Sequence, residues 1–216
     1  MSKKVHLYTG KDADVTWDGR LCIHVGECGR AANELFVGGR DPWCEPDTTD
    51  AEEALAVVRR CPTGAIAIQR KDGGETETAE AENQVFVANR GPYYLRGDLE
   101  IEGAAEDMEG VKFRAALCRC GQSKNKPFCD NTHEETGFAD RGAIGTAGPG
   151  LEASGGKLEV KPLKNGPLKV TGNLVMISAG GVRTWSGTKA FLCRCGESKT
   201  RPFCDGTHNK VGFEAD

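Results

Sequence analysis

The 216-residue sequence predicts an α+β chain, a small N-terminal module followed by two mainly-β repeats. Three observations carry that expectation. A stretch reading CxCGxSKxxPFCDxTH occurs at Cys118–His133 and again at Cys193–His208, each residue 75 positions from its twin with no insertion or deletion. Upstream of both copies, glycines and prolines punctuate short apolar runs in the same register: Gly91-Pro92 matches Gly166-Pro167, Gly97 matches Gly172, and Leu99 matches Leu174. The first 70 residues follow a different pattern, short β-type runs around one helical run.

Taken in order, residues 1–70 form the first unit. Val5–Tyr8 and Val15–Trp17 are expected to be short strands, with Ile66–Ile68 a third. Between them, Asp50 followed three residues later by Glu53 makes a capping-box-like start, and Ala51, Ala54, Leu55 and Val58 then fall on one helical face. That helix stops at Cys61-Pro62. Residues 71–83 are polar and acidic and are expected to be a linker. Repeat 1 spans 84–140, a glycine- and alanine-rich tether spans 141–156, and repeat 2 spans 157–216. Each repeat is expected to be a few strands feeding a cysteine loop and one helical turn. Gly137-Phe138 and Gly212-Phe213 close the two units alike, the glycine ending the helix and the aromatic packing beneath it.

Composition excludes several classes. Net charge is −4 and no Lys/Arg run is present to track a phosphate backbone, so nucleic acid is not an expected partner. Met1–Gly10 holds no apolar stretch of signal-peptide length, and nothing approaches the ~20 apolar residues of a membrane span. A soluble, cytoplasmic protein is expected, with no membrane partner. In that compartment ten cysteines favour metal ligation over disulfides. Units this small rely little on a large core, so metal sites are expected to act as staples. The chain has no phosphate loop, no dinucleotide fingerprint and no nucleophile arrangement, and it is not expected to be an enzyme.

The repeated motif has the makings of a metal site. In an extended segment, residues two apart face one side, so Cys118 and Cys120, like Cys193 and Cys195, can present two sulfurs to one metal atom. Arg119 and Arg194 then point the other way. Cys129 and His133, like Cys204 and His208, are four apart and fall on one face of a helical turn. Pro127 and Pro202 fix the backbone between the pairs, Ser123 and Ser198 offer hydroxyls to the sulfurs, and Asp130 and Asp205 are placed to cap the ligand helix. Three thiolates and one imidazole suit zinc or an iron-sulfur cluster. A CxC pair split from a CxxxH pair favours two irons with two ligands each over a single zinc. Two disulfides per repeat would leave a cysteine over and the histidine unexplained.

At these residues the sequence resembles the CDGSH iron-sulfur family, the NEET proteins, whose pattern is CxCxx(S/T)xxxPxCDGxH. Cys193–His208 follows it throughout, and Cys118–His133 departs only at Asn131, where Gly206 stands in the second copy. Asparagine is the residue next most tolerant of positive φ. The resemblance implies one 2Fe-2S cluster in each motif. Cys118 and Cys120 would hold one iron and Cys129 and His133 the other; Cys193, Cys195, Cys204 and His208 would repeat the arrangement. Single-motif members pair through a shared β-cap. A chain with two in-register copies is expected to build that cap within itself, as an intrachain pseudo-two-fold dimer, and to be monomeric overall.

The N-terminal module carries a second cysteine pattern, Cys22 and Cys28 in CIHVGEC and Cys61 in CPTGAI. Two loop cysteines, then a distant Cys-Pro at a helix end leading into a short apolar strand, is the ligand order of a single-cluster ferredoxin. This part resembles the divergent mono-cluster ferredoxin domains in its CIHxxEC, PW and CPxGA elements, at Cys22–Cys28, Pro42-Trp43 and Cys61–Ala65. A full ferredoxin loop carries a cysteine at position 25, where this chain has Val25. Three cysteines suit a 3Fe-4S cluster. A 4Fe-4S cluster needs a fourth ligand, for which Cys44 and His24 are the candidates.

The expected function is electron transfer with pH-coupled redox. A neutral imidazole in place of a thiolate raises the reduction potential, and its second nitrogen can exchange a proton with solvent. Lys124, Lys126, Lys199 and Arg201 stand within the motifs, where they can offset cluster charge or dock an acidic partner. The expected partner is a redox protein. An alternative is a cluster store that donates 2Fe-2S units to an apo acceptor protein, and a third reading is a structural zinc protein.

Overall fold

The computed structural model describes residues 4–215. In the N-terminal module, β1 (Val5–Thr9) pairs antiparallel with β2 (Ala13–Asp18), and β2 with β3 (Ile66–Arg70). The intervening chain holds α1 (Ala51–Arg60), whose first turn is capped by Asp50: its carboxylate accepts the Glu53 N–H at 2.7 Å. Ala51, Ala54, Leu55, Val57 and Val58 are the buried face of α1, packed toward the three-stranded sheet. Pro62 cannot continue the helix, and the chain turns at Cys61 into β3.

The two repeats share one seven-stranded sheet. Repeat 1 contributes β4 (Gln84–Val87), β5 (Tyr93–Arg96), β6 (Asp98–Ile101) and β7 (Arg114–Leu117); repeat 2 contributes β8 (Lys157–Pro162), β9 (Leu168–Ile177) and β10 (Arg183–Leu192). The long β9 carries β10 along one edge and β8, then β4, along the other. β6 of repeat 1 pairs parallel with β8 of repeat 2, Glu100 opposite Glu159. The second half of β9 pairs parallel with β4 of repeat 1, Val175 opposite Gln84. Adding 75 to one member of these pairs and subtracting it from the other converts the first register into the second, so each repeat lends a strand to its twin's half of the sheet. At the bend between β5 and β6, Gly97 has φ +141°, and Gly172 within β9 has φ +123°. A side chain on either would run into Asn83 or the Lys157 carbonyl.

The repeats differ in one place. β10 and β9 form a full hairpin, whereas residues 102–113 of repeat 1 are an irregular loop ending in a short 3-10 turn, Glu109–Lys112. The N-terminal module packs there. Gly64 lies so close to Gly110 that a Cβ would stand 2.8 Å from the Gly110 carbonyl carbon, and Arg20 pairs with Asp107 at 2.8 Å. Arg114, the first residue of β7 and 2% exposed, donates to the carbonyls of Val58 (2.7 Å), Cys61 (2.6 Å) and Ile66 (3.0 Å) and pairs with Glu77 at 2.8 Å.

One continuous apolar core runs from Val15, Leu35 and Val58 through Val85, Leu95 and Leu117 to Leu168, Leu174 and Leu192. The segments expected as linkers are irregular but held. Glu77 is tied to Arg114, Asn83 is fully buried, and residues 141–156 lie along the sheet through Ala179 N–H on the Gly142 carbonyl and Gly150 N–H on the Ser186 carbonyl. None of the described helices is long and apolar enough to cross a membrane.

Candidate metal centres

Each motif begins one residue beyond a strand rather than within one, at Cys118 after β7 and Cys193 after β10. A short ladder brings the returning chain alongside. Cys118 N–H binds the Pro127 carbonyl and Cys129 N–H the Ala116 carbonyl, at 2.8 and 2.9 Å; Cys193 with Pro202 and Cys204 with Phe191 repeat this at 2.8 Å each. The CxC sulfurs stand 3.9 Å apart in repeat 1 and 3.7 Å apart in repeat 2. Two thiolates on one tetrahedral metal atom, with bonds of ~2.3 Å, lie about 3.8 Å apart. Cys129 Sγ is 3.4 Å from His133 Nδ1, and Cys204 Sγ 3.3 Å from His208 Nδ1. Nδ1 is therefore the nitrogen aimed at the metal position. The donors thus come as two pairs per loop, and among the described residues no three such side chains converge on the position of a single ion. The donor set fits a cluster of two metal atoms.

The third and fourth donors are not on one helix face. Cys129 precedes the single-turn helix α2 (Thr132–Glu135), and Asn131 between them has φ +75°, matched by Gly206 at +83° before the 3-10 turn Thr207–Asn209. Asp130 ties this turn to the loop by accepting Thr132 N–H (3.1 Å) and Lys124 N–H (2.8 Å), and Asp205 does the same for Thr207 and Lys199, both at 2.9 Å. These N–H bonds hold the Asp205 carboxyl well below the ordinary range. The serine hydroxyls do not reach sulfur: Ser123 and Ser198 donate them to the Phe128 and Phe203 carbonyls at 2.7 and 2.6 Å, closing the loop. The sulfurs accept backbone N–H groups instead, Gln122 on Cys120 and Asn131 on Cys129, each at 3.5 Å. Gly137 and Gly212 end the turns at φ +66° and +65°, and Phe138 and Phe213 fold back under Arg119 and Arg194.

Arg119 and Arg194, which the spacing merely turns away from the metal, are each 1% exposed and brace the loop from behind. Arg119 binds the Gly91 and Ala88 carbonyls and the Asp140 carboxylate; Arg194 binds the Gly166 and Leu163 carbonyls. An arginine between the two cysteines of both copies was the available signal. Asp140 also pairs with Arg201 of the other loop at 2.6 Å. Tyr93, fully buried, donates to the Cys193 and Pro202 carbonyls at 3.0 Å. Sequence offered no sign of it, since Leu168 stands at the matching position. Among the motif cations, Lys126 binds the Ser123 carbonyl at 2.6 Å, while Lys124 and Lys199 remain exposed.

The two sites differ in cover. Cys129 and His133 are buried, whereas Cys204 and His208 are half-buried. The first cysteine of each motif is raised, Cys118 by its hydrogen bond with Cys120 and by burial, Cys193 by burial. Burial lowers the His133 pKa and favours its neutral, ligating form.

In the N-terminal module, Cys22, Cys28 and Cys61 line one cavity of about 380 Å³ together with Trp17 and Trp43. Trp17 has a buried Nε1–H without a hydrogen-bond partner among the described residues, a donor that a cluster sulfur can satisfy. Burial and the neighbouring Cys61 raise the Cys28 pKa. His24, at φ +55°, lines the same cavity. Cys44 does not: it is 1% exposed, pairs through its backbone with Phe36, and faces a separate depression beside Tyr8 and Pro42. Burial pushes its thiol up to about 12. Ile23 shares a small buried cluster with Ala116 and Cys129, a candidate ligand of the first repeat, and Val25 and Tyr94 pack against it.

Comparison with known proteins agrees with this geometry. A family model described as "Divergent 4Fe-4S mono-cluster" matches residues 8–71, and one described as "Iron-binding zinc finger CDGSH type" matches twice, at 90–134 and 165–209. The "Uncharacterized protein YjdI" of Escherichia coli strain K12 is 38% identical over 64 residues, 30% of this chain and 84% of that protein, and its counterpart in Escherichia coli O157:H7 matches equally. No solved structure matches the chain. The chain joins a divergent 4Fe-4S mono-cluster domain to two tandem repeats of the CDGSH iron-binding family.

Proposed function

We propose that this protein is an electron carrier, not an enzyme, with a 2Fe-2S cluster in each CDGSH loop and a third cluster in the N-terminal module. The observation that carries the reading is the contact of the three loops in a row. Ile23, next to Cys22, shares a buried cluster with Ala116 and Cys129, and the Gly121 and Gly196 backbones of the two CDGSH loops abut the Cys195 and Cys120 carbonyls. Iron-sulfur clusters take up and release single electrons, and such contact is what exchange between them needs. The matched parallel registers of β6 on β8 and β9 on β4 support an intrachain pseudo-two-fold cap and a monomer.

For the N-terminal cluster we favour the 4Fe-4S type, with His24 beside Cys22, Cys28 and Cys61. Ile23 and Val25 both pack toward repeat 1, which accounts for a valine where a ferredoxin loop has cysteine, and His24 is the one imidazole lining the cavity beside the three cysteines. Cys44 does not line that cavity. His24 and His133 both border a cleft of about 640 Å³ between the module and repeat 1. A ring nitrogen left free there would couple redox state to pH.

Iron, zinc and acid-labile sulfide per chain, with EPR spectra of protein purified without oxygen, test the reading. Iron of about eight with two cluster types supports it; about four with 2Fe-2S signals alone removes the third cluster; zinc without sulfide overturns it. Cluster donation is a second reading, favoured by the half-buried Cys204 and His208.

A further inference from the structure

The N-terminal module covers one face of repeat 1, and the matching face of repeat 2 is open. In repeat 1, Ala116 packs against Ile23, Tyr94 borders that contact, and Arg114 grips the Val58, Cys61 and Ile66 carbonyls. At the positions 75 residues on stand Phe191, Lys169 and Lys189. The backbone is alike: Phe191 pairs with Lys169 as Ala116 pairs with Tyr94. What differs is the covering. Phe191 is 39% exposed against 3% for Ala116, and beside it a depression of about 470 Å³ reaches Phe203 and Cys204.

Charge points the same way. Residues 1–70, the covering module, hold eleven Asp and Glu against nine Lys and Arg, while repeat 2 holds ten Lys and Arg against five Asp and Glu. We propose that the Lys189–Phe191 face of repeat 2 docks an acidic ferredoxin-type iron-sulfur protein, whose cluster loop would lie beside Cys204 as Ile23 and Val25 lie beside Cys129. This rests on the electron-transfer reading above. An exposed aromatic ringed by cations supplies an apolar anchor and electrostatic steering. In each encounter one electron passes from the reduced ferredoxin to the oxidised chain, so the partner is oxidised and this protein reduced; no bond is made or broken.

The test uses the full holo chain and a purified acidic 4Fe-4S ferredoxin as probe, with affinity measured by calorimetry at low and high salt. Phe191→Glu and Lys189→Glu are each expected to weaken binding about tenfold or more, and salt to weaken it further. Val182→Asp, an exposed apolar site at the far end of the β9–β10 hairpin, is expected to change nothing. Unaltered visible spectra show that the variants keep their clusters. Absence of binding by the unaltered chain, equal binding by both face variants, or self-association that Phe191→Glu abolishes would each overturn the proposal, the last by making a second copy the occupant. Binding at this face without bleaching of the visible bands by reduced ferredoxin would instead overturn electron transfer and leave the docking surface standing.

Discussion

The carbonyl oxygen of Cys195 lies 2.5 Å from where a Cβ on Gly121 would stand, and Gly196 meets the Cys120 carbonyl at 2.7 Å in the same way. The two CDGSH loops therefore touch backbone to backbone, through glycines at φ +82° and +83°. Gly121→Ala adds a clash to a strained φ, and about 1–3 kcal/mol of destabilisation is expected. In a chain of this size Tm should fall by roughly 2–4 °C per kcal/mol. Because the clash is with the opposite loop, visible absorbance on heating should be lost from both sites at lower temperature. Loss confined to the altered loop would show that the contact does not couple them.

Arg114 is the bolt between the N-terminal module and the strand that delivers Cys118. Arg114→Met leaves Glu77 charged and half-enclosed and three carbonyls without their donor. Removing one partner of a buried ion pair costs about 3–5 kcal/mol. Arg114→Lys is expected to restore little of it, because an ammonium cannot span the fork. Limited proteolysis should then cut within residues 71–83 while the repeats keep their colour.

Asp140 joins the Arg119 and Arg201 guanidiniums, one from each loop. Burial alone raises its pKa, but the Gly142 N–H and Arg119 outweigh burial, and the value lies below the ordinary carboxylate range. A carboxylate depressed in the folded state contributes stability above its unfolded pKa of about 3.9 and loses it as pH falls through the folded value. Asp140→Asn is expected to cost on the order of 1–3 kcal/mol at neutral pH and progressively less below about pH 4. Urea unfolding across that range checks the sign. A difference that stayed constant into acid would mean that the charge of Asp140 is not what links the loops.

Much of this site is legible in the sequence because the repeat is its own control. The repeat picks out Cys118, Cys120, Cys129 and His133 and their twins, though not the turn that joins the last two, and the left-handed backbone at Asn131 and Gly206 and the cap at Asp50 are readable as well. What sequence does not convey is long-range. Ser123 and Ser198 bond loop carbonyls, which satisfies a buried carbonyl that the turn itself leaves open. The exchange of strands between repeats leaves no local trace, since β6 and the end of β9 have the same apolar pattern whichever partner they take. Cys44 is equally silent: proline-bounded loops look alike whether a cysteine in them faces a cavity or the core.

Cover distinguishes the two otherwise equal CDGSH sites, and it orders their loss. Cys129 and His133 are buried with Ile23 set against Cys129, and burial lowers the His133 pKa, so a proton reaches that ring only in stronger acid than it needs for an ordinary imidazole. Cys204 and His208 are half-buried, and Cys204 borders an open depression. On mild acidification, or with a chelator or apo acceptor present, absorbance is expected to decay in two phases, repeat 2 first. His208→Cys should suppress the fast phase alone and lower that site's potential, since a thiolate adds negative charge where the imidazole had none. His133→Cys should affect the slow phase. Ile23→Ala opens cover over Cys129 only, and it should quicken the slow phase without touching the fast one; a single phase throughout, insensitive to which histidine is replaced, would show that cover does not control release.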